Sequence, residues 1–351
     1  MNTKVLITGA AGFIGSNLVE YLLEKNTDIV TFDRIQELNK PPIGRVTSVV
    51  GSLYSPVDVE GVFKKHGPFR AVYHLGAVMP DKSASDEILW KTNVVGTENL
   101  VGMCLKYAVP SFIFTSSNVT YGVPRVLPVR EETPLCPIEM YGRSKVEAEK
   151  ILATVVGRMN IQIFRCPVVT GVGRLGLQAI LFEFISEGKN VYVLGDGSNR
   201  YQFADVRDIC SALEKASHAK GFDVYNIGSD DVLPLKELYR KIIAYAGTKS
   251  RIVSLPMAPT LAALSVLSRL RISPLGVYQY TMIGRSLYAD TAKIKAKLGW
   301  KPEKTNLDGF IENYDWYLAH KGTFATVGSQ GISSNRSVPK MGVFKLLKML
   351  S

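Results

Sequence analysis

The stretch Thr8-Gly9-Ala10-Ala11-Gly12-Phe13-Ile14-Gly15 lies between an apolar run and a helical pattern, and it decides the fold. The run before it, Lys4-Val5-Leu6-Ile7, has the branched apolar side chains of a strand that is buried on both faces of a parallel sheet. After Gly15, apolar residues repeat at helical spacing, at Leu18, Val19, Leu22 and Leu23. The glycines therefore mark a sharp turn from a strand into a helix, the place where such sheets bind a dinucleotide.

The three glycines of this turn have separate roles. Gly9 can adopt backbone angles that are barred to other residues, and Gly12 allows the chain to approach a pyrophosphate closely. Gly15 allows the helix to pack tightly on the strand. The helix opens at Phe13 and Ile14, and we expect its exposed amides and positive dipole to bind the phosphates there.

The next strand indicates which dinucleotide is bound. It runs from Ile29 to Phe32 and ends in Asp33, where an acidic side chain would accept hydrogen bonds from the adenosine ribose. Asp33 would repel the 2'-phosphate of NADP, whereas Arg34 beside it would attract one. The sequence therefore favours NAD and leaves NADP open.

Two further strands extend the expected cofactor site. A third strand, from Val46 to Val50, precedes Ser52 and Leu53, where the adenine ring would lie. A fourth strand from Ala71 to Ala77 carries at its carboxyl end the residues that would line the cofactor, namely Leu75, Gly76 and Ala77. A long helical pattern follows, from about Ser85 to Tyr107, and it contains Asn93.

The composition predicts a soluble globular protein. The 351 residues suffice for a large core, and 46% hydrophobic with 21% charged residues excludes disordered and fibrous classes. The four cysteines are far apart and the four histidines lack ligand spacing, so we expect no metal and a reduced, cytoplasmic compartment. The first strand begins almost at Met1, which leaves no room for a signal peptide.

The net charge is +11, and part of it is concentrated in the last 31 residues. From residue 321 to 351 there is no acid, and the basic residues are Lys321, Arg336, Lys340, Lys345 and Lys348. Residues 321–339 have the composition of a flexible linker, and 341–350 mix bulky apolar residues with lysines, as short interfacial membrane anchors do. The alternatives are a peripheral membrane contact and a frayed terminus. No motif indicates a nucleic-acid partner.

A fifth strand and the helix that follows carry the candidate chemistry. Phe112 to Thr115 runs into a series of hydroxyl residues that includes Ser117. Tyr141 and Lys145 are four residues apart on a helix and hence share a face. A tyrosine that exchanges a proton near neutral pH needs its pKa lowered from about 10, at a cost of about 4 kcal/mol. We expect the Lys145 cation, together with oxidised nicotinamide, to supply this lowering.

Together these motifs closely resemble the extended short-chain dehydrogenase/reductase family, which holds sugar-nucleotide epimerases and dehydratases and the hydroxysteroid dehydrogenases. The resemblance runs from about Thr3 to His320 and implies an α/β fold, a Rossmann-type doubly wound parallel sheet with a smaller mixed α/β substrate lobe. Residues 1–166 would form the NAD-binding domain, to which later segments return, and residues 167–320 mainly the substrate lobe. The family also typically forms homodimers.

The resemblance assigns roles to individual residues. Tyr141 takes the place of the catalytic base, Lys145 that of its partner, and Ser117 that of the hydroxyl that holds the substrate oxygen. Tyr141, Lys145, Pro167 and Val168 join the cofactor site. The residues that the resemblance places near the substrate are Met79 with the adjoining Pro80, Ser117, Asn118 and Arg200.

Three departures from the family pattern bear on the substrate and the cofactor. Asn118 and Val119 stand where dehydratases carry an Asp-Glu pair, which argues against a 4,6-dehydratase. Val168 replaces the asparagine that many members use near the substrate diphosphate, and Ser52 replaces an aspartate beside the adenine pocket.

Three hypotheses follow for the function. The first is an NAD(P)-dependent oxidoreductase or epimerase that transfers hydride at a secondary alcohol or ketone carbon of a nucleotide sugar, as a 4-epimerase does. The second is a membrane-associated reductase of a keto-lipid or sterol-like ketone, which Val168, an apolar segment from Leu261 to Leu270 and the tail would suit. The third is a non-catalytic NAD-binding protein, which the presence of Ser117, Tyr141 and Lys145 disfavours.

Overall fold

The strands of the protein follow the predicted order along the chain. The computed structural model describes residues 4–35, 44–80, 85–269 and 277–324. Within them the strands are β1 (Val5–Thr8), β2 (Ile29–Asp33), β3 (Val46–Val50), β4 (Ala71–His74), β5 (Ser111–Ser117), β6 (Asn160–Cys166), β7 (Val168–Thr170), β8 (Val191–Leu194), β9 (Phe203–Asp205), β10 (Phe222–Asn226) and β11 (Ile252–Leu255).

Helices occupy most of the connections between these strands. In chain order they are α1 (Phe13–Glu24), α2 (Pro56–His66), α3 (Asp86–Trp90), α4 (Gly96–Lys106), α5 (Met140–Ala153), α6 (Leu177–Ser186), α7 (Val206–Ala216), α8 (Leu235–Ala246), α9 (Met257–Arg269), α10 (Val277–Met282), α11 (Ala292–Leu298) and α12 (Asn306–Phe324). A π-helical turn, Lys91–Val95, joins α3 to α4, and a 3-10 turn, Asn118–Tyr121, follows β5.

Seven of the described strands form one parallel sheet in the order β3-β2-β1-β4-β5-β6-β10. Strand β1 lies between β2 and β4, with Leu6 opposite Val30 and Val72. All four residues of β1 are buried, as the apolar run predicts. The strand order reverses beside β1, and ligands bind outside the carboxyl ends of the strands at such a point. The prediction of a doubly wound sheet is confirmed.

Helices cover both faces of this sheet. On one face, α1 and α7 pack together, and Leu18 and Ile209 belong to the same buried cluster as Ile7 of β1. On the other face, α2, α4 and α5 bury Val59, Leu100 and Leu152 against Leu6. Burial on both faces explains why the strands read as continuous apolar runs rather than alternating ones.

A second apolar core lies outside the main sheet, in a smaller lobe. It includes α6, α8 and α12, whose aromatic side chains pack edge to face, as Phe182 and Phe310 do at 6.2 Å between ring centroids. Two small parallel sheets, β7 with β9 and β8 with β11, belong to this part. The chain does not stay there. It returns to the core of the main sheet at α7, at β10 and again at α11, through Ile209, Tyr225 and Ile294.

Some element boundaries differ from the predicted ones. Strand β4 ends at His74, so the predicted strand end from Leu75 to Ala77 has no ladder pairing. The uncharged segment 252–268 contains β11 and most of α9. Helix α12 extends through Phe324, so the first residues of the predicted tail are helical, and residues 325–351 lie outside the described part.

None of the helices within the described residues has the length and apolar character needed to cross a membrane.

Candidate active site

The glycine turn is built as its spacing predicts. Gly9 has φ +72°, and a Cβ there would stand 2.5 Å from the Gly76 amide nitrogen. A Cβ on Gly15 would stand 2.2 Å from the Gly9 carbonyl oxygen. Gly12 is the N-cap residue of α1. Neither Gly9 nor Gly15 can therefore carry a side chain, and the backbone surface between β1 and α1 stays open to a phosphate.

Asp33, at the end of β2, forms a hydrogen bond with this turn. Its Oδ2 atom accepts a hydrogen bond from the Ala11 amide at 3.0 Å. The carboxylate therefore lies beside the glycine turn, where the adenosine ribose would be expected, and it still has lone pairs to offer. Arg34 is exposed.

The residues predicted around the adenine and the nicotinamide are also brought together. Leu53 is buried, and its Cδ1 atom lies 2.7 Å from where a Cβ of Gly76 would stand. The Ser52 amide donates to the Asp58 carboxylate at 2.9 Å. Ala77 packs in the same apolar cluster as Tyr141.

Lys145 and Tyr141 are both buried and lie on one face of α5, directed at β5. Lys145 Nζ donates to the Thr115 carbonyl at 2.9 Å and lies 4.6 Å from the centre of the Phe114 ring. Its distance from the centre of the Tyr141 ring is 5.9 Å. Ser117 ends the same strand, and its hydroxyl accepts a hydrogen bond from the Val119 amide at 3.4 Å. The structure therefore joins the three predicted catalytic residues in one region.

Burial dominates the electrostatics of Tyr141 in the protein chain alone. Burial, together with Cys166 and Glu139, raises the pKa of the Tyr141 hydroxyl above its usual 10. Burial also lowers the pKa of Lys145 to about 8. In the protein chain alone, desolvation of the phenolate is the largest cause of this raised pKa. The lowering by Lys145 together with oxidised nicotinamide stays a prediction. The positive nicotinamide ring would act against this desolvation.

Asn93 is a structural member of the site that the sequence reading did not select. It lies in the π-helical turn and is buried. Its Oδ1 atom accepts from the Val78 amide at 2.7 Å, and its Nδ2 atom donates to the Ser144 hydroxyl at 3.0 Å. The side chain thereby ties the segment after β4 to the helix that carries Tyr141. A π-turn is itself common at functional sites.

A chain of buried hydrogen bonds links the glycine turn to the π-turn through His74. The Thr97 hydroxyl donates to the Asn93 carbonyl at 2.7 Å, so it accepts from His74 Nε2 at 2.9 Å. At the other end, the Gly76 amide donates to the Thr8 hydroxyl, which then donates to His74 Nδ1 at 2.7 Å. The imidazole is therefore neutral and protonated on Nε2, and burial lowers its pKa to about 3.

A second buried network of hydrogen bonds and an ion pair supports β5, the strand that ends in Ser117. Glu149 and Arg165 form a two-pronged ion pair, with Nη2 to Oε2 at 2.7 Å and Nε to Oε1 at 3.1 Å. The Ser116 hydroxyl donates to Glu149 at 2.5 Å. Arg165 also donates to the Tyr121 hydroxyl at 2.9 Å, and Tyr121 donates to Asn226 of β10 at 2.8 Å. The ends of β5, β6 and β10 are thereby held together.

The predicted substrate residues are divided between the site and the surface. Asn118 is buried at the start of the 3-10 turn, directly after Ser117. Arg200 is exposed, and its guanidinium donates to the Val232 carbonyl at 2.8 Å. The neighbouring Tyr201 instead points inward, where it hydrogen-bonds the Asn118 side chain and lies 3.3 Å from the Tyr278 hydroxyl. Tyr201 was not among the predicted site residues, and the role of Arg200 toward a substrate phosphate stays a prediction.

The remaining predicted residues lie after β4 and at the start of β7. Met79 and Pro80 are exposed at the end of a described segment. Pro167 is buried, and Val168 is half-buried as the first residue of β7, opposite Phe203 of β9. Among the described residues, no group of three or more His, Cys, Asp and Glu is arranged to hold a metal ion.

These features fit a bound dinucleotide. The turn at Gly9 and Gly15 leaves no room for a Cβ, and the Asp33 carboxylate lies beside it. The buried Lys145 ammonium lies against β5 of the same sheet. A model described as the NAD dependent epimerase/dehydratase family matches residues 5–228. The chain belongs to this family. It is therefore an NAD-dependent enzyme of the extended short-chain dehydrogenase/reductase type, which confirms the resemblance seen in its motifs.

Two relatives show how far this similarity extends. An uncharacterized protein of Sinorhizobium fredii, y4nG, is 35% identical over 346 residues, which cover 97% of this chain and 85% of the relative. A UDP-glucose 4-epimerase of Lactobacillus helveticus is 26% identical over 346 residues, which cover 90% and 98%.

Solved structures give the same picture. The UDP-glucose 4-epimerase of Thermotoga maritima, crystallised with UDP-glucose, superimposes with a TM-score of 0.73 at 26% identity over 91% of this chain and 99% of that one. The enzyme WbmG of Bordetella bronchiseptica, in complex with NAD and UDP, gives a TM-score of 0.75 at 21% identity over 90% and 95% of the two chains.

Proposed function

We propose that the protein epimerises a nucleotide sugar at a secondary alcohol carbon, as 4-epimerases do. The observation that carries this proposal is the grouping of Ser117, Tyr141 and a buried Lys145 beside a glycine turn that fits NAD. Relatives named as UDP-glucose 4-epimerases, similar over nearly the whole chain, support the sugar-nucleotide class.

When bound at the glycine turn and beside Lys145, NAD would supply the hydride acceptor and donor for the sugar carbon, so that a hydride removed from one face could be restored on the other. Tyr141, as the phenolate, takes the hydroxyl proton when the carbon is oxidised and gives it back when the carbon is reduced. Lys145 holds a positive charge near the ring and has two ammonium protons left, after its bond to the Thr115 carbonyl, for the nicotinamide ribose. Ser117 donates a hydrogen bond to the reacting oxygen.

The inner wall of the lobe is polar where the sugar would lie. Tyr201, Tyr278 and Asn118 bring two hydroxyls and an amide together next to Ser117. These groups can bind sugar hydroxyls, whereas a sterol-like ketone offers few partners for them. The keto-lipid hypothesis gains no support from the relatives reported above, and the tail on which it depended lies outside the described residues.

The test is interconversion of UDP-glucose and UDP-galactose, followed by NMR, with no added NAD. We expect epimerisation without deuterium incorporation at C4 in D2O, because the hydride stays within the site. Tyr141→Phe should lower the turnover number by about 10²- to 10⁴-fold while NAD remains bound.

Two controls make this test decisive. Tyr245→Phe removes the hydroxyl of an exposed lobe tyrosine that donates to Asp315 and should leave turnover unchanged. Failure to epimerise a panel of UDP-, dTDP- and GDP-sugars, together with stoichiometric consumption of NADH by a ketone, would contradict the proposal.

Assembly and location form a further part of the proposal. Helices α3 and α5 pack together, and Ile88 and Trp90 on α3 are each 37% exposed, which suits a homodimer formed through a helix bundle. Light scattering tests this, with Trp90→Lys expected to give monomers. We also propose a cytoplasmic location, supported by four free thiols within the described residues.

A further inference from the structure

Arg174 lies in the turn between β7 and α6, opposite the start of α1. Its Cζ atom stands 5.5 Å from the centre of the Phe13 ring, and Phe13 is the first residue of α1. The turn holds the residue in place at both of its backbone groups. Its amide donates to the Gly171 carbonyl at 3.0 Å, and its carbonyl accepts from the Asn313 side chain at 2.7 Å.

The charge of this guanidinium is not balanced by the part of the chain that the structure describes. No described carboxylate forms an ion pair with Arg174, and no acidic group affects its titration. Burial alone lowers its pKa to about 10. A desolvated cation is costly unless an anion meets it.

The position makes the cost greater. The N-terminus of a helix carries a partial positive charge, so a cation beside it is repelled. Arg207 provides a contrast on the same helix: its Cζ atom stands 5.3 Å from the centre of the Tyr21 ring, near the C-terminal end, and its guanidinium pairs with Glu24 at 2.9 Å. Two arginines therefore stack on rings of α1, and the one at the positive end is the one without a described carboxylate partner.

We propose that Arg174 is a cofactor-binding residue whose guanidinium pairs with the pyrophosphate of NAD at the start of α1. The amides that open the helix and the guanidinium over Phe13 would then contact the same dianion, one from the helix axis and the other from the lobe. The ring of Phe13 keeps the guanidinium directed at the turn. The inference concerns cofactor binding and does not depend on the identity of the sugar.

The experiment is calorimetric titration of nucleotide-free protein with NAD and, separately, with adenosine, which carries no phosphate. We expect Arg174→Gln to raise the Kd for NAD by about 10- to 100-fold, the usual effect of losing a hydrogen bond between charged groups. Adenosine binding should not change. Arg174→Lys should give a Kd for NAD between those of the wild type and Arg174→Gln. An ammonium keeps the positive charge but cannot form the two parallel hydrogen bonds of a guanidinium.

Arg207→Gln is the matched control. Arg207 belongs to α7, and its replacement removes a guanidinium that stacks on another ring of α1, so the affinity for NAD should stay as in the wild type. NAD binding by the wild type should also weaken more steeply with ionic strength than binding by Arg174→Gln, because the ion pair is screened.

Melting of the nucleotide-free variants separates a ligand contact from a structural role. Arg174→Gln should melt at or above the wild-type temperature, because it removes a half-buried cation from the positive end of a helix. Unchanged NAD affinity in Arg174→Gln would overturn the proposal. So would an equal loss of NAD and adenosine binding with a lower melting temperature, which would assign Arg174 to the fold.

Discussion

Replacement of His74 should change how stability depends on pH, because this histidine is buried and neutral. Both ring nitrogens are engaged, with Thr8 on one side and Thr97 on the other. A second proton would turn Nδ1 from an acceptor into a donor facing a hydroxyl that already donates to it. Lys145 adds a repulsive charge, although burial is the larger cause of the lowered pKa.

The magnitude follows from the two pKa values. The unfolded chain has the ordinary histidine pKa of 6.5, and burial lowers the folded value to about 3. As the pH falls below 6.5, the histidine binds a proton in the unfolded state but not in the folded state, so the folded state loses stability. At about 1.36 kcal/mol per unit, the loss attributable to this residue is about 2 kcal/mol at about pH 5.

The assay is urea unfolding of the wild type and His74→Gln at about pH 7.5 and about pH 5. Glutamine keeps a donor and an acceptor but cannot titrate. We expect the variant to be less stable at the higher pH, and the difference in the free energy of unfolding to narrow by about 2 kcal/mol at the lower pH. Other titrating groups are common to both proteins and cancel in this difference.

His218→Gln is the control, because His218 is an exposed residue of the turn that ends α7, close to Glu214. For His218→Gln, the difference from the wild type in the free energy of unfolding should not narrow between the higher and the lower pH. A difference between the wild type and His74→Gln that stays constant to within about 0.5 kcal/mol over this pH range would refute the argument that His74 is folded as a neutral group.

Other substitutions test the remaining parts of the site. Glu149→Gln should lower the free energy of unfolding by about 3–5 kcal/mol, because a buried guanidinium loses its carboxylate. Glu147→Gln, on the exposed face of the same helix, should change the free energy of unfolding by less than about 0.5 kcal/mol. Urea titration measures both variants, and equal effects would contradict the reasoning. Gly15→Ala should abolish NAD binding in calorimetry, whereas Gly61→Ala, whose Cβ meets nothing within 4 Å, should retain it. Ser117→Ala should lower kcat by about 10²-fold with NAD binding unchanged, and full turnover would remove Ser117 from the mechanism.

Local patterns were enough to predict the sheet and the central chemistry. The apolar run before Gly9 predicts a doubly buried strand, and the glycine spacing predicts the turn, because both depend on residues close in sequence. The pair Tyr141 and Lys145 follows in the same way from helical periodicity. In each case the sequence already indicates which residues lie close together, and the structure adds the distances between them.

Features that depend on distant segments were missed. Arg200 and Tyr201 are adjacent, and a shift of one residue in an extended segment moves a side chain to the opposite face, so sequence alone did not decide between them. Asn93 lies in a π-turn whose position does not show in a helical pattern. Arg174 meets Phe13 only because the lobe folds back on α1, which lies far earlier in the chain.

The repeated return of the chain from the smaller lobe to the main sheet has an evolutionary consequence. Because α7, β10 and α11 interrupt the lobe, its residues come from several separate stretches of the gene. A single crossover with a relative would exchange only part of the lobe, and one between residues 121 and 226 would separate Asn226 from its hydrogen-bond partner Tyr121. Recombination is therefore a poor route to a new substrate in this architecture. Point substitutions within the lobe, with the glycine turn and α5 left unaltered, are the accessible route, both in nature and in directed evolution.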